Sequence, residues 1–214
     1  MDKQASPLYR ELYFSTPIFF RDGGDACEFH AEMKPLIYQI REEDTKGITR
    51  SNMRQAGAWH SQVNLHTQTA FSPLVEFITG QAREIFQDLG YDPDYEPAID
   101  TLWANISSRN AYNRAHIHPN SLWSGVYYVQ VPEDAGRIFF IDPRTQAMHY
   151  TPRYDPDKKR EALTWNEVFF EPQEGRLILF PSWLQHEVEP NMSSLTGEAG
   201  NRISISFNIY QRKA

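Results

Sequence analysis

The order of hydrophobic and polar positions divides the chain into a helical first part and a β-rich second part. In the first part, apolar residues recur at the three- to four-residue spacing of a helix over 27–44 and, more regularly, over 71–90. In the second of these segments, Ser72 suits the N-cap, Pro73 the first helical position and Gly90 the end of the helix. The side chains predicted to form its buried stripe are Leu74, Phe77, Ile78, Ile85, Phe86 and Leu89.

In the second part of the chain the spacing becomes that of β-strands. Short β-branched or aromatic segments are separated by Pro, Gly, Asn or Asp, which favour turns. These segments are 99–107, 124–131, 136–141, 167–172, 175–180 and 202–210. Six such strands after a helical flank predict a mostly antiparallel sandwich or barrel with helices packed on one side.

The layout predicts one domain over 1–214, with a mainly helical N-terminal flank over 1–98 and a β-barrel core over 99–210. The interval 142–166 is polar and rich in turn residues, which predicts a long hairpin insertion near one mouth of the barrel.

The last predicted strand, RISISFNIY, has one apolar and one polar face, because successive side chains point to opposite sides of a strand. The apolar face carries Ile203, Ile205, Phe207 and Ile209, and the polar face carries Arg202, Ser204, Ser206, Asn208 and Tyr210. A polar face of this kind meets solvent in an ordinary sheet but can face the lumen of a ligand-binding barrel. The strand alone leaves both arrangements open.

Composition narrows the class of protein. Hydrophobic residues make up 40% of the 214 residues, enough for a packed core, and the formal net charge is -7. An acidic chain has no general attraction to nucleic acid or anionic membranes, so neither partner is expected. Cys27 is the only cysteine, which excludes an internal disulfide and disfavours a cysteine-based zinc site. The start MDKQASPLYR lacks the apolar run of a secretory signal, and we expect a cytoplasmic protein.

His116 and His118 lie one residue apart at the head of a predicted strand, so both side chains point to one face. Such neighbours stand roughly 6.6 Å apart, close enough to converge on one metal ion, and Pro119 then interrupts strand pairing. His186, after a buried strand and a Pro-Ser turn, is the best third ligand. Three ligands with open positions suit a catalytic metal, whereas surface or merely hydrogen-bonded histidines remain the alternative.

The remaining histidines have no comparable context, and we expect them to be surface or locally hydrogen-bonded groups. They are His30, His60, His66 and His149.

Several motifs together resemble the iron(II)- and 2-oxoglutarate-dependent oxygenases, most closely the small bacterial and phage members. They are HIHPNSLWSGVYYV, FFIDPR, GRLILFPSWLQHEVEPN and RISISFNIY, within roughly residues 99–210. The resemblance implies a double-stranded β-helix, that is, a jelly-roll or cupin-like core, with Fe(II), 2-oxoglutarate and O₂. His116 matches the first histidine of the superfamily's H-x-D/E motif and His186 the distal one. His118 stands where the superfamily usually has a carboxylate, and HIHPNSLWSGV contains none, so we expect three histidine ligands.

The resemblance also implies residues for the cosubstrate. Arg202 and Ser204 match the R-x-S arrangement that holds the distal carboxylate of 2-oxoglutarate, a task that suits the planar, permanently charged guanidinium. Tyr128 falls where related oxygenases place a tyrosine that hydrogen-bonds the same carboxylate. Asn105 is a weaker candidate for the other end of the cosubstrate.

The leading hypothesis is therefore an oxygenase that couples decarboxylation of 2-oxoglutarate to oxidation of a substrate, with hydroxylation as the first expectation. The alternatives are a cupin-like three-histidine metalloenzyme that does not use 2-oxoglutarate and a non-enzymatic barrel module. We expect the 142–166 insertion and the region of Trp103 and Trp123 to shape the substrate side. The sequence does not identify the substrate, a small molecule or a side chain, and leaves open a homodimer through a strand edge or apolar patch.

Overall fold

The computed structural model describes residues 8–23, 30–44, 46–51 and 56–214. Its helices are α1 (His30–Glu43), α2 (Gly47–Arg50) and α3 (Ser72–Asp88). Its strands are β1 (Phe19–Arg21), β2 (Trp59–His60), β3 (Tyr95–Ser107), β4 (Asn113–His116), β5 (Trp123–Gln130), β6 (Ile138–Ile141), β7 (Glu167–Phe170), β8 (Leu177–Pro181), β9 (His186–Val188) and β10 (Arg202–Lys213).

The strands form two antiparallel sheets that face each other. The larger sheet has the order β1-β8-β5-β10-β3-β2 and the smaller one the order β4-β9-β6-β7. All named strand pairs are antiparallel, and the two sheets form the jelly-roll core predicted from the sequence. The prediction of a mostly β fold with flanking helices is confirmed.

Strand β10 lies in the middle of the larger sheet, between β5 and β3, and separates two environments. Its apolar face packs into the main core beneath the helices, where Ile203, Ile205, Phe207 and Ile209 are all fully buried. Its polar face turns towards the smaller sheet and lines a cavity. The polar face of the strand therefore faces the lumen rather than solvent from Arg202 to Asn208, whereas Tyr210 at its far end is exposed.

Helices α1 and α3 supply the other half of the main core. Met33 and Ile37 of α1 are buried there, and α3 buries Leu74, Ile78, Ala82, Ile85 and Phe86. Two details of the prediction for α3 are wrong. The N-cap is Phe71 rather than Ser72, because the helix already begins at Ser72, and Leu89 follows the helix end with its side chain 37% exposed.

The first predicted helix begins at His30, and Cys27 lies outside the described residues. The 142–166 segment joins the antiparallel pair β6 and β7, as expected of a long hairpin connection. No helix within the described part of the chain has the length and apolar character needed to cross a membrane.

Candidate metal and cosubstrate site

Three histidines converge between the two sheets. His116 ends β4 and is the cross-strand partner of His186, which begins β9, so the two rings project from neighbouring strands of the smaller sheet. His118 lies just beyond β4, where its backbone N–H donates to the carbonyl of Ser182. Each histidine offers one ring nitrogen, and these nitrogens lie within 4.8 Å of one another. The structure therefore places these three histidines close together, as the sequence predicts.

The Nδ1 atom of every ring is already engaged with an oxygen acceptor. His116 Nδ1 lies 2.7 Å from the carbonyl oxygen of Arg114, and His186 Nδ1 lies 2.9 Å from that of Leu184. Because a carbonyl oxygen can only accept, these nitrogens carry the proton, and the lone pair of each ring is on Nε2. Such contacts fix the tautomer and orientation of metal-binding histidines.

The third ring is held by a side chain instead of a carbonyl. His118 Nδ1 lies 2.8 Å from Asn208 Oδ1, which also accepts a hydrogen bond from Ser124 Oγ at 2.8 Å. The amide nitrogen of Asn208 donates to Thr101 Oγ1 at 2.9 Å. Ser124 in turn contacts Ser182, so the amide sits in a continuous polar network.

Burial keeps two of the three rings uncharged. Desolvation, with a smaller contribution from the nearby His116, lowers the pKa of His186 to about 3. The same two causes lower the pKa of His118 to about 4, although its hydrogen bond to Asn208 acts in the opposite direction. Neutral imidazoles at physiological pH have a free lone pair for a metal ion and no proton to displace.

The triad opens into a cavity of about 330 Å³ between the sheets. The floor is the polar face of β10, and β3 contributes Trp103, Asn105 and Ser107 to the wall. No carboxylate lines this cavity among the described residues, whereas Arg202 on its floor contributes a positively charged side chain. A divalent cation here would therefore have neutral protein ligands and a nearby positive charge, which favours an anionic co-ligand.

Arg202 is 3% exposed and has no carboxylate ion-pair partner within the described chain. Its Nη1 atom donates to the carbonyl oxygen of Ala135 at 2.5 Å, with longer contacts to Gly136 and Glu189. Gly136 has φ +84°, and a Cβ there would lie 2.5 Å from the Glu189 carbonyl, so the turn that anchors Arg202 requires glycine. A buried guanidinium without a counter-ion is costly, and an anionic ligand would remove that cost.

The other predicted cosubstrate residues line the same cavity. Ser204 is buried and pairs in register with Asn105 on one side and Tyr128 on the other. Burial raises the pKa of Tyr128 to about 12, so its phenol stays neutral and can donate a hydrogen bond. Asn105 donates its amide to Ser206 Oγ at 3.2 Å. The structure brings all four predicted residues to one cavity, on the floor and wall beside the histidines.

The family model described as "Putative 2OG-Fe(II) oxygenase" matches residues 101–208, just over half of the chain. The chain belongs to this oxygenase family. It is a 2-oxoglutarate- and Fe(II)-dependent dioxygenase, and its cofactors are Fe(II) and the cosubstrate 2-oxoglutarate. No curated protein matches the sequence.

Solved oxygenase structures share the fold at low sequence identity. A Pseudomonas putida prolyl-4-hydroxylase is 16% identical with a TM-score of 0.57, covering 92% of this chain and 94% of its own. A Trichoplax adhaerens prolyl hydroxylase, solved with a hypoxia inducible factor peptide fragment, is 13% identical with a TM-score of 0.56, covering 90% and 83%. The epimerase SnoN, in complex with Fe3+, alpha ketoglutarate and nogalamycin RO, is 14% identical with a TM-score of 0.62, covering 93% and 80%.

Two sequence expectations about the substrate side, those for Trp123 and for the 142–166 insertion, differ from the structure of the oxygenase. Trp123 is buried in the main core, where it contacts Phe19 and donates to Tyr91 Oη, because β5 turns this residue towards the helices. No residue of the 142–166 connection lines the cavity among those described. Trp103 does line it, with its ring stacked on His118 at 5.9 Å between centroids.

Sequence reasoning missed two contributors to the site. His60 was expected to make only local contacts; it does bond the Ser61 carbonyl, but its ring also lines the cavity and stacks on Trp103 at 5.6 Å. Only pairing of the two-residue strand β2 with β3 brings it there, and so short a strand has no periodicity to detect. The second is Asn208, whose ring contact is to His118; the strand pattern places Asn208 on the polar face of β10, and this is the signal in the sequence that it could reach the site.

Proposed function

We propose that this oxygenase hydroxylates a C–H bond of an organic substrate, with His116, His118 and His186 as the iron ligands. The observation that carries the proposal is the convergence of three rings, with Nδ1 engaged, beside a buried arginine in a cavity that no described carboxylate lines. Bound iron and 2-oxoglutarate supply the chemistry, in which O₂ is consumed and succinate, CO₂ and the hydroxylated substrate are formed.

Arg202, Ser204 and Tyr128 are proposed to hold the distal carboxylate of 2-oxoglutarate. Arg202 provides the permanent charge and, since Nη1 is anchored on carbonyl oxygens, its remaining N–H groups can form a two-point contact. Ser204 and the neutral phenol of Tyr128 provide hydroxyl donors from adjacent strands. Asn105, one strand further along, is proposed for the opposite end of the cosubstrate.

The triad with three neutral ligands is proposed to rely on the cosubstrate for charge balance. The dianion of 2-oxoglutarate offsets most of the positive charge that iron and Arg202 bring into the cavity. Cosubstrate binding and iron binding should therefore strengthen each other, because each reduces the electrostatic cost of the other.

Trp103 and His60 are proposed to form the substrate-facing wall. The two rings are stacked with an interplanar angle of 11°, and both line the cavity. Burial lowers the pKa of His60, so this wall is uncharged near neutral pH and suits an uncharged reacting group. Because two of the structural neighbours are named as prolyl hydroxylases, proline-containing peptides are the first substrates to test.

The proposal is tested by following succinate formation from 2-oxoglutarate under air with Fe(II), for wild type, His118→Ala and Arg202→Ala. Wild type should form succinate, faster with a substrate that is hydroxylated, and both variants should lose at least about 95% of the rate. A three-histidine enzyme that uses no 2-oxoglutarate would instead consume O₂ without succinate. Equal rates in Arg202→Ala and wild type would contradict the assigned role of the arginine.

A cytoplasmic location and the absence of nucleic-acid and membrane partners stay predictions from composition. A homodimer likewise stays open to measurement of the mass in solution.

A further inference from the structure

The ring of His118 is held differently from the rings of its two neighbours. His116 and His186 each use the backbone carbonyl two residues earlier in the chain, Arg114 and Leu184. His118 lies outside the strands, and its Nδ1 contacts the side chain of Asn208, ninety positions along the sequence. The orientation of this ring therefore depends on a side chain, which a single substitution can remove, whereas the backbone carbonyls that hold the other two rings remain after any substitution.

The amide of Asn208 has two possible orientations with opposite consequences for the ring. With Oδ1 towards His118, Nδ1 carries the proton and Nε2 has its lone pair free. With the amide nitrogen towards His118, the proton moves to Nε2, which then cannot bind a metal. In the structure Oδ1 faces the ring: it accepts a hydrogen bond from Ser124 Oγ at 2.8 Å, while the amide nitrogen donates to Thr101 Oγ1 at 2.9 Å.

We propose that Asn208 is a positioning residue that makes His118 a metal ligand. His118 stands at the position where related oxygenases use a carboxylate. This inference rests on the proposed iron site and goes beyond it, because it assigns the competence of the third ligand to a residue on β10. Because the acceptor is an amide oxygen, residue 208 adds no charge beside the three histidines.

Two variants distinguish the role of the Asn208 oxygen as a hydrogen-bond acceptor from the role of the side chain in filling space. Asn208→Leu has nearly the same shape and no acceptor, so His118 loses its fixed tautomer and orientation. Asn208→Asp has the same shape and can only accept, so it must hold Nδ1–H, and it adds a negative charge one hydrogen bond from the ligand. Thr101→Val is the matched control, since it removes the contact on the far side of the amide and leaves Oδ1, Ser124 and His118 in place.

The measurement is the dissociation constant for Fe(II), and for Mn(II) as an air-stable probe, under anaerobic conditions without 2-oxoglutarate. Asn208→Leu should weaken metal binding by about 10- to 100-fold, in line with loss of a partner of a ligating histidine. Asn208→Asp should bind at least as tightly as wild type, and Thr101→Val should stay within about threefold of wild type, a smaller change than loss of the partner itself. Thermal unfolding of each metal-free variant shows whether it is folded.

The Fe(III)/Fe(II) midpoint potential gives a readout that a merely structural role would not change. Asn208→Asp should lower it, because the added negative charge stabilises Fe(III) more than Fe(II). If Asn208→Leu does not fold, the isosteric Asn208→Asp tests the inference, which then requires metal binding at least as tight as that of wild type together with a lower potential.

The inference is overturned if folded Asn208→Leu binds metal as wild type does. It is also overturned if Asn208→Asp binds as weakly as Asn208→Leu, or leaves the potential unchanged. Failure of wild type itself to bind iron would contradict the proposed function as well, so the two failures are distinguished by which protein fails to bind.

Discussion

At the scale of single residues, the site combines a buried arginine with three histidines, and no carboxylate within the described residues pairs with that arginine. Arg202 is 3% exposed, and its hydrogen-bond acceptors within the described residues are carbonyl oxygens, which carry no full negative charge to balance the guanidinium. Desolvation lowers the pKa of this arginine, the direction expected of a guanidinium that lacks a counter-ion. These features predict that Arg202 has a larger effect on the binding of an anionic ligand than a surface arginine would have.

Replacing Arg202 by alanine should weaken 2-oxoglutarate binding by about 30-fold to several thousand-fold, since truncating one partner of a buried charge pair costs about 2–5 kcal/mol. Arg202→Lys is the control that keeps the charge but loses the planar fork, and it should fall between alanine and wild type. Isothermal titration of the Mn(II)-loaded protein with 2-oxoglutarate measures the effect. Equal affinity in Arg202→Lys and Arg202→Ala would mean that charge is irrelevant at this position.

His118→Asp should restore the carboxylate that the superfamily usually has at this position. The added charge should let the variant bind Fe(II) at least as tightly as wild type and should lower the Fe(III)/Fe(II) potential, because no described carboxylate lines the cavity at present. In this background Asn208→Leu should no longer affect metal affinity, since the shorter side chain has no ring to hold. A further loss on adding Asn208→Leu would show that Asn208 acts by another route.

At the scale of elements, β10 shows which parts of the fold can be predicted from the sequence. Its alternation of Ile and Phe with polar residues was plain, so the strand and its two faces could be predicted. Whether the polar face met water or a lumen depended on the smaller sheet, whose strands β4 and β9 have four and three residues and were missed. Pairing of such short strands is decided by tertiary contacts, which local periodicity does not encode.

The same limit applies to the site. His116 and His118 are predicted from their one-residue spacing, and His186 and Arg202 from local motifs that resemble those of the oxygenase family. The role of Asn208 depends on the register that places it opposite Thr101 on β3 and Ser124 on β5. Sequence spacing indicates that two residues share a face, but it does not give the register between strands distant along the chain.

Two glycines make a matched test of element packing. Gly125 lies on β5, where an added Cβ would come within 2.3 Å of the Phe207 ring and 2.5 Å of the Ile178 carbonyl oxygen. Because that oxygen belongs to a paired strand, Gly125→Ala should destabilise the protein by about 1–3 kcal/mol or more. Gly80 lies within α3 with nothing inside 4 Å of such a Cβ, so Gly80→Ala should stabilise by up to about 1 kcal/mol. Urea unfolding of both variants measures these changes, and a neutral Gly125→Ala would contradict the packing described.

At the scale of the whole molecule, arginine–carboxylate pairs join distant parts of the chain. Arg137 contacts Glu189 through two nitrogens at 2.8 Å and holds the pKa of that carboxyl below its usual value, chiefly through the hydrogen bonds. Arg176 acts in the same way on Asp22. A carboxyl with a depressed pKa binds fewer protons folded than unfolded, so its contribution to stability is present above the ordinary carboxyl pKa and is lost as pH falls through the folded value.

Arg137→Gln should therefore unfold at a lower temperature than wild type above about pH 5, the range in which carboxyl groups are ionised. The difference should shrink as pH falls below about 4, where Glu189 becomes protonated in the unfolded and then in the folded chain. The effect should be small, because the pair is partly exposed, and weaker at high salt. Thermal unfolding from pH 8 to 3 checks the sign, and a difference that grew with acid would contradict it.

The whole arrangement of two facing sheets places three imidazoles and one buried guanidinium around a single cavity. We propose that this cavity binds iron through three histidines and that 2-oxoglutarate completes the coordination of the iron. Anaerobic Fe(II) titration of wild type and His118→Ala, with and without 2-oxoglutarate, tests it most directly through the visible charge-transfer band of the chelated complex. The band should appear in wild type only when both are added and should be lost in His118→Ala. Iron binding without the band would contradict the role of 2-oxoglutarate, and a band that persists unchanged in His118→Ala would contradict ligation by His118.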